Sequence, residues 1–466
     1  MPNIKRQYLG AIKSLPSVQL AMRDYRILAE SIAGDIAAGR LRAGDRLLPQ
    51  REFAYRRNVA PSTAGRVYAE LLRRGLVVGE VGRGTFVAAQ TSRTGLVFSE
   101  PNHQRVDLEH IFPILPDQEI AIARSLSAML RPEGVAGVLN PISATGTVPG
   151  RNIAARFLSR SRWAPNPDQL LFTGNGKQAI AAAITAVVSP GRRLGVEPFT
   201  FSTIKKIAEH LGVTLVPLAM DEGGIRVDRL KVIHRSARLS ALYLQPVLHN
   251  PLGVTMSSTR REELARFALD QDLVIIEDSV NAFLSNEPPL AALAPEGCIV
   301  VDSLSKRIAP GLTVGFVVPP RRLADRVAKA IGSGAWQAPA FAFNAVLHLM
   351  GDGTASSIVG AKRKDAVKRQ AIARDVLSDF AVRADPHAYH LWLELPKPWR
   401  SRQLVAAASS KGIALSPSSM FAIREAHAPN AVRIALPWPP MSELRRALEV
   451  LARLLRSAPR DVAAIE

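Results

Sequence analysis

Apolar and polar residues follow helical spacing in three stretches between residues 21 and 88. The first stretch predicts a helix over residues 22–38, with an apolar face formed by Ile27, Leu28, Ile32, Ile36 and Ala37. A second helix is predicted over residues 50–57, and Ser62 is predicted to cap a third over residues 63–74. Two short apolar runs on either side of the turn Gly82-Arg83-Gly84 then predict a hairpin.

From about residue 108 onward, apolar strands alternate with amphipathic helices. Ser258 is predicted to cap one of these helices, over residues 258–271. This alternation is typical of an α/β layered fold, in which ligands gather at the carboxyl ends of the strands. The predicted strands are residues 193–196, 214–218, 241–245, 273–277, 299–301 and 315–318.

The stretch between these two patterns, residues 89–107, follows neither spacing and is interpreted as a linker. The expected domains are therefore residues 21–88 and residues 108–466.

The distribution of charge favours a nucleic-acid partner for the first domain without deciding it. The chain has a formal net charge of +20, and residues 1–100 hold 16 Lys and Arg against 8 Asp and Glu, a local excess of +8. A basic terminal domain is typical of a protein that binds a phosphate backbone. An arginine-rich genome would place the same charge on any solvated surface, so charge alone leaves both interpretations open.

Other bulk features restrict the class of protein. The longest apolar stretch, residues 179–188, is too short to span a bilayer, and the N-terminus lacks the apolar core of a signal peptide. With one cysteine, Cys298, no intrachain disulfide can form, which is typical of a reducing compartment. We therefore expect a cytoplasmic protein with no membrane partner, and no metal site is predicted.

The third predicted helix has the residue types that a DNA-reading helix needs. Arg66 lies one turn into it, where a guanidinium can reach base edges, and Ser62 and Thr63 lie where they can contact phosphate. Arg51 and Arg83 flank this surface from the second helix and from the hairpin turn. The alternative is a small helical domain that dimerises or caps another domain.

Three sequence blocks carry a resemblance to a known family. The blocks GRLRAGDRLLPQREFA, APSTAGRVYAEL and GRGTFV occur in the order and spacing of the winged-helix domain of the GntR superfamily, which residues 21–88 closely resemble. The resemblance implies binding to double-stranded operator DNA, with contacts from Arg51, Arg66 and the wing residues Arg83, Gly84 and Thr85. The family usually has Ser-Arg-x-Thr at the start of its recognition helix, whereas residues 61–64 here read Pro-Ser-Thr-Ala. Base preference therefore cannot be transferred.

The second domain contains a lysine in a position suited to aldehyde chemistry. The segment Val301-Asp302-Ser303-Leu304-Ser305-Lys306 takes an apolar strand into a loop with two hydroxyls and an amine. Such a lysine can form a Schiff base, and the serines can bind a phosphate. A solvated loop lysine is the ordinary alternative.

Four further segments have polar or aromatic residues at expected strand or helix ends. A buried strand ends at Asp278, which could pair with a protonated pyridine nitrogen, and Asn250 could reach a ring hydroxyl. A helix opens at Asn175, Gly176 and Lys177, which is an anion site, and Phe201 could stack on a flat ring. Each alone has an ordinary structural explanation, but together with Lys306 they indicate one cofactor site.

This half resembles the fold-type I pyridoxal-phosphate enzymes of the aspartate aminotransferase class, over about residues 107–466. The resemblance implies an α/β/α large domain with a small C-terminal α+β domain. It implies that Lys306 binds pyridoxal 5'-phosphate, that Asp278 pairs with the pyridine nitrogen, and that Asn250 contacts the ring 3-hydroxyl. Phe201 takes the place of a ring-stacking aromatic, and Arg433, in NAVRIAL, matches the arginine that holds a substrate carboxylate.

A GntR-type domain followed by an aminotransferase-like domain resembles the MocR subfamily of regulators, which look like homodimers. The chain departs from the enzymes at two positions, since Asn281 replaces a tyrosine and Thr313 replaces a phosphate-binding arginine. Lys177 or Arg307 could supply the missing charge. The tyrosine that reaches across from a partner subunit is not recognisable near residues 139–146.

Three functions remain open at this point. The first is a regulator whose cofactor senses an amine or amino-acid effector, and the second is an active aminotransferase with an appended DNA-binding domain. The third is a sensor of pyridoxal phosphate itself. The residues at 281 and 313, together with an intact winged helix, favour the first.

Overall fold

The computed structural model describes residues 25–37, 40–41, 45, 47–74, 76–80, 84–87 and 105–457. The chain divides into two compact units, residues 1–102 and residues 103–466. Among the described residues, no helix is both long enough and apolar enough to cross a membrane.

The first unit contains helices and a hairpin close to the predicted positions. Its elements are α1 (Tyr25–Ala37), α2 (Gln50–Arg57), α3 (Pro61–Arg73), β1 (Val77–Glu80) and β2 (Gly84–Val87). The two strands pair antiparallel. A core that includes Phe53, Val67 and Leu71 joins all three helices to the hairpin. The prediction of three helices and a hairpin is therefore confirmed, while the turn residues 81–83 lie outside the described residues.

Two details of this unit were predicted wrongly. Ser62 does not cap α3, because the helix begins two residues earlier than predicted, at Pro61, and its N-cap is Ala60. Proline is favoured at the first helical position, where a missing N–H costs nothing. Ile27 is 48% exposed, although Leu28 and Ile32 on the same helix are buried. Ile27 lies about 100° around the helix from Leu28 and so falls off the buried stripe.

The second unit is built on a seven-stranded sheet. The strands are β4 (Leu171–Thr173), β5 (Arg193–Val196), β6 (Thr214–Pro217), β9 (Ala241–Leu244), β10 (Val274–Asp278), β11 (Cys298–Ser303) and β12 (Gly315–Val318). Their order across the sheet is β4-β12-β11-β10-β9-β5-β6. Strand β12 runs antiparallel to both of its neighbours, and the remaining pairs are parallel.

The sheet is covered on both faces. Leu242 and Ile275 belong to one buried cluster, and their sequence neighbours Tyr243 and Ile276 belong to another. Because successive side chains of a strand point to opposite faces, the two clusters are the two layers of an α/β/α arrangement. All six predicted strands are confirmed with small shifts at their ends. The seventh strand, β4, was not predicted.

Helices and short strand pairs surround this sheet. The helices are α4 (Gln118–Met129), α5 (Pro132–Ala136), α6 (Val148–Leu158), α7 (Gly176–Val187), α8 (Thr203–His210), α9 (Val227–Ser236), α10 (Ser258–Asp270), α11 (Leu304–Arg307), α12 (Ala324–Ser333) and α13 (Ala340–Gly351). Strands β7 (Met220–Asp221) and β8 (Gly224–Ile225) form a small hairpin. The cap of α10 is Ser257 and not the predicted Ser258, since the Ser257 hydroxyl accepts a hydrogen bond from the Arg260 N–H.

The C-terminal part adds a second, smaller sheet, as the resemblance implied. Its elements are α14 (Thr354–Val376), β13 (Val382–Arg383), β14 (His390–Glu394), α15 (Ser401–Ser410), β15 (Ile413–Ala414), β16 (Ser416–Pro417), β17 (Ala431–Ala435) and α16 (Met441–Arg456). The order of the sheet is β13-β14-β17-β16. Strand β15 pairs with β3 (Val106–Asp107), so the last two residues of the predicted linker are part of a strand pair.

Candidate functional site

Lys306 follows β11 on the single turn α11, beyond the end of the strand. Its Nζ donates a hydrogen bond to the Ile111 carbonyl oxygen at 2.5 Å and lies 4.4 Å from the centre of the Phe112 ring. Burial lowers the pKa of Lys306 to about 7, and the positive charge of Arg433 acts in the same direction. A large fraction of this amine is therefore uncharged near neutral pH and able to attack a carbonyl carbon.

The loop that carries Lys306 is held by another lysine, which is buried. Lys362, on α14, donates to the carbonyl oxygens of Lys306 at 3.1 Å and of Ile308 at 2.6 Å. Gln118 donates to the same Ile308 oxygen at 3.0 Å. Lys362 has no exposed surface, and burial lowers its pKa to about 7. These bonds fix the backbone on both sides of Arg307 and so fix where the Lys306 side chain begins.

Asp278 ends β10 and is buried. One carboxylate oxygen accepts a hydrogen bond from the Tyr243 hydroxyl at 2.6 Å, and the other accepts one from the Val280 N–H at 3.1 Å. Burial raises the pKa of Asp278 to about 6, against the opposite effect of the Tyr243 hydrogen bond. Within the described residues Asp278 forms no ion pair, which leaves a buried carboxylate ready for a cationic partner.

Arg433 and Asn250 are brought together from distant parts of the chain. Arg433 Nη1 donates to Asn250 Oδ1 at 3.1 Å, and Nη2 donates to Ser416 Oγ at 3.1 Å and to the Glu109 carbonyl oxygen. The guanidinium carbon lies 4.7 Å from the centre of the Phe421 ring. Burial lowers the pKa of Arg433 to about 10, and its buried Nε has no hydrogen-bond partner among the described residues. A cation in this setting attracts a carboxylate.

The amino end of α7 meets the loop of Lys306. Asn175 caps α7 by accepting a hydrogen bond from the Gln178 N–H at 3.1 Å, so its side-chain oxygen is already engaged. A Cβ placed on Gly176 would lie 3.0 Å from Ser303 Oγ, so the glycine allows the helix to approach this serine closely. Ser305 and Thr313 share a hydrogen bond of 2.8 Å between their hydroxyls. Helix N–H groups and hydroxyls thus gather at one point, which suits a phosphate.

Arg307 is committed to another partner. Its Nη2 pairs with Asp302 Oδ2 at 2.5 Å, and its guanidinium packs 5.4 Å from the ring centres of both Phe157 and Phe283. Of the two residues considered as a replacement for the missing arginine, Lys177 is the one that stays available: it is exposed, and its charge lowers the pKa of Lys306.

Phe201 and Asn281 lie on loops that follow β5 and β10. Phe201 is half-buried against one face of the sheet. Its loop is tied to the C-terminal part, because the Thr200 N–H donates to the Phe421 carbonyl oxygen at 3.0 Å. Asn281 is buried and begins a short 3₁₀ turn over Ala282–Leu284.

Sequence reasoning missed Tyr243 and Lys362. A tyrosine within the otherwise apolar strand Ala241–Leu244 was an available signal, because a buried hydroxyl needs a partner. Lys362 gave no such signal, since it lies in the basic run Lys362-Arg363-Lys364 and looks like a solvated residue.

The residues present fit the pyridoxal phosphate that the motifs imply. The pyridine nitrogen needs an anion, for which Asp278 is buried and forms no ion pair within the described part of the chain. The phosphate needs donors, which α7, Ser303 and Ser305 supply, and the aldehyde needs an amine of low pKa, which is Lys306. Within the same residues no group of three or more His, Cys, Asp and Glu side chains could hold a metal ion.

The DNA-contact residues named from the sequence lie on α2, α3 and β2 of the first unit, apart from Arg83, which lies outside the described residues. Ser62, Thr63 and Arg66 occupy the first two turns of α3, and Arg51 begins the neighbouring α2. Arg51 and Arg66 are exposed, and no carboxylate of the described residues pairs with either. Gly84 begins β2, with Thr85 next to it.

Comparison with known proteins agrees with both halves. The family model described as aminotransferase class I and II matches residues 148–451. The uncharacterised HTH-type transcriptional regulator YdeF of Bacillus subtilis is 27% identical over 457 residues, which cover 94% of this chain and 96% of that protein. The vitamin B6 salvage pathway transcriptional repressor PtsJ of Salmonella typhimurium is 29% identical over 315 residues, covering 66% of this chain and 70% of that protein.

Solved structures agree with the fold of the second unit. An archaeal alanine:glyoxylate aminotransferase superposes with a TM-score of 0.69 at 22% identity, covering 76% of this chain and 91% of that chain. The α-aminoadipate aminotransferase LysN of Thermus thermophilus, complexed with N-(5'-phosphopyridoxyl)-L-leucine, superposes with a TM-score of 0.68 at 21% identity. The superposition covers 76% of this chain and 92% of that chain. The chain therefore belongs to the aminotransferase class I and II family, whose cofactor is pyridoxal 5'-phosphate, in the MocR arrangement that its motifs indicated.

Proposed function

We propose that the protein is a transcription regulator that binds operator DNA through its N-terminal unit and senses an amine or amino acid through pyridoxal 5'-phosphate held by Lys306. One observation carries this proposal. The chain combines a DNA-binding unit with a cofactor site. In the helix-turn-helix, Arg51 and Arg66 are exposed and form no ion pair with any carboxylate of the described residues. In the cofactor site, the pKa of Lys306 is lowered to about 7.

The pocket residues have separable roles in taking up an effector. When bound, the cofactor supplies an electrophilic carbon that reacts with amines. Asp278 would pair with the pyridine nitrogen, and the Tyr243 hydroxyl favours the ionised form of that carboxylate by donating a hydrogen bond at 2.6 Å. Arg433 binds the effector's carboxylate, while its bond to Asn250 at 3.1 Å orients the amide oxygen and leaves the amide nitrogen for the cofactor.

Two positions favour sensing over turnover. Asn281 cannot act as a phenol, and Thr313 holds Ser305 by a hydroxyl–hydroxyl bond of 2.8 Å without adding a positive charge near the phosphate. Both changes are compatible with cofactor binding and remove groups that the related enzymes use. A site that binds an amine without rapid turnover is suited to report its concentration.

The lowered pKa of Lys306 also supports the second candidate, an active aminotransferase with an appended DNA-binding domain. A third, a sensor of pyridoxal phosphate itself, gains support from the relative PtsJ, whose name describes a repressor of vitamin B6 salvage. The three candidates differ in which compound changes the affinity for DNA. An amine or amino acid changes it in the first candidate, and the cofactor alone changes it in the third. In the second, the protein catalyses amino-group transfer and no compound changes its affinity for DNA.

We also propose that the protein acts as a homodimer, because two winged-helix units on one symmetric dimer would read two half-sites of an operator. Acting on DNA would place it in the cytoplasm.

The test is a fluorescence-anisotropy titration of the full chain against DNA from upstream of its own gene. It compares apoprotein, holoprotein, and holoprotein with each of a panel of amines and amino acids. We expect one of these compounds to change the Kd at least about tenfold, a coupling of about 1.4 kcal/mol. A change on adding cofactor alone would establish the third candidate. Sustained amino-group transfer at about 1 per second or faster would establish the second.

A further inference from the structure

A second polar cavity lies at the opposite end of the large sheet. It is partly open to solvent and has a volume of about 360 Å³, within the range of about 300–1,000 Å³ that is typical of small-molecule sites. Its lining includes Arg193, Ser240 and Leu273, which stand at the amino ends of β5, β9 and β10.

The cavity is separate from the cofactor site. Asp278 lies at the carboxyl end of β10, and four residue steps along a strand span about 13 Å from the first residue, Val274. Lys306 likewise follows the end of β11 that is aligned with the carboxyl end of β10. A ligand in the cavity therefore occupies the other edge of the sheet and does not contact the cofactor.

Three arginines supply the charge of this cavity. Arg192, Arg193 and Arg238 line it, and no carboxylate of the described residues pairs with any of them. The lining also contains a carboxylate, that of Asp272, which accepts a hydrogen bond from Arg322 Nη2 at 3.0 Å. Three cationic side chains around one volume give it a positive potential, which attracts a polyvalent anion.

A histidine adds a neutral donor to the same lining. His234 is buried, and its Nδ1 accepts a hydrogen bond from the Leu239 N–H at 3.3 Å, so in the neutral ring the proton resides on Nε2. Burial and the charge of Arg238 both lower the pKa of His234, which keeps the ring neutral at pH 7. A neutral imidazole with Arg238 near it adds hydrogen-bonding capacity for oxygen acceptors such as phosphate or carboxylate.

We propose that the cavity lined by Arg192, Arg193 and Arg238 binds a small polyvalent oxyanion, a metabolite that carries phosphate or several carboxylates. The charge of the lining, its size and its place outside the cofactor site together support this assignment. The site is independent of the effector pocket and gives the protein a second chemical input.

The test uses holoprotein whose cofactor has been fixed with borohydride and dialysed, so that free cofactor cannot compete. Isothermal titration at low ionic strength is carried out with pyrophosphate and, separately, with citrate. We expect saturable binding of at least one of them at one site per chain. Binding of pyrophosphate alone would identify a phosphate ligand, and binding of citrate alone a polycarboxylate ligand. Binding of neither would overturn the proposal.

Variants then locate the site. Arg193→Gln and Arg238→Gln should each weaken binding about tenfold, as expected for loss of a charge-assisted hydrogen bond. Arg192→Gln, at an exposed position, serves as a third variant in case Arg193→Gln fails to fold. Arg402→Gln, an exposed arginine on α15, is the matched control and should bind like the unmodified protein. Equal loss in the control, or loss of DNA affinity in place of anion affinity, would contradict the assignment.

Discussion

Arg433 Nη1 donates a hydrogen bond to Asn250 Oδ1 across 3.1 Å, joining a strand of the small sheet to the loop after β9. The residue that would bind an effector's carboxylate is thus in direct contact with the residue that would contact the cofactor ring. The bond also determines which atom of Asn250 points away, since its oxygen is engaged by a cation.

The contact leads to a first prediction about effector chemistry. Arg433→Gln should weaken the response to a carboxylate-bearing amino acid by about 10- to 100-fold, because a buried charge-assisted contact is lost. The same variant should respond almost normally to a simple amine that lacks the carboxylate. Anisotropy titrations with an amino acid and with its decarboxylated amine measure both. Equal loss for the two ligands would show that Arg433 supports the fold and does not select the effector.

The second prediction concerns the cofactor amine. Lys306→Ala should abolish the visible absorbance of the holoprotein and the borohydride labelling of the peptide that contains residue 306. The matched control is Lys177→Ala, which should retain lysine-linked absorbance while binding the cofactor more weakly. Unchanged absorbance in Lys306→Ala would remove the assignment. The same variant should still bind operator DNA and lose its response to an amine.

A third prediction follows from the Tyr243–Asp278 hydrogen bond. Tyr243→Phe removes the donor that favours the ionised carboxylate, so the pKa of Asp278 should rise above its present value of about 6. Less carboxylate is then ionised near pH 7, and the cofactor should dissociate more readily. The cofactor Kd, measured from pH 6 to pH 8.5, should be raised most at the acid end. A pH-independent increase in Kd would indicate a packing defect.

A fourth prediction uses the lowered pKa of Lys362. The folded pKa of about 7 lies below the ordinary value of 10.5, so between these values the unfolded chain binds more protons. The free energy of unfolding should therefore rise with pH in that window, by up to about 1.4 kcal/mol per pH unit for one group. Lys362→Met removes this contribution, and its stability should depend less steeply on pH between about 7.5 and 9.5 in urea titrations. Lys368→Met, at an exposed position on the same helix, should keep the original slope.

The fifth prediction tests the DNA-reading helix. Arg66→Ala should lose about 5- to 150-fold of operator preference, as expected for one bidentate base contact of about 1–3 kcal/mol, while keeping salt-sensitive non-specific binding. Arg73→Ala is the control on the same helix, since Arg73 is paired with Glu70 through Nη2 and Oε1 at 2.6 Å. Full operator selectivity in Arg66→Ala would mean that another element reads the bases.

The sequence predicted the sheet well because buried parallel strands appear as short apolar runs, and the strand Arg193–Val196 was placed without error. The helix starts differ from the prediction: the sequence predicts Ser62 and Ser258 as caps, whereas Ala60 and Ser257 occupy the cap positions. Near a helix start several residues can serve as the N-cap, and which one does depends on which backbone N–H groups are left unpaired.

In the candidate site, too, some features could be predicted from the sequence and others could not. Lys306, Asp278 and Asn250 could be grouped from the sequence because strand ends meet at one edge of a sheet. The Arg307–Asp302 pair could not be foreseen, because five residues of separation across a strand–helix junction give no indication of which way a guanidinium turns.

Helix α14 has a consequence for how a signal could leave the pocket. Its 23 residues span about 34 Å. Lys362 on this helix holds the Lys306 loop, and Arg369, two turns further on, donates to the carbonyl oxygens of Leu436 at 2.8 Å and Pro439 at 2.6 Å, just beyond the strand of Arg433. The helix thus contacts both the loop of Lys306, which would take up the effector's amine, and the segment after the strand of Arg433, which would bind its carboxylate. An effector of a different length would change the spacing of these two attachment points, and α14 is the element that would transmit that change.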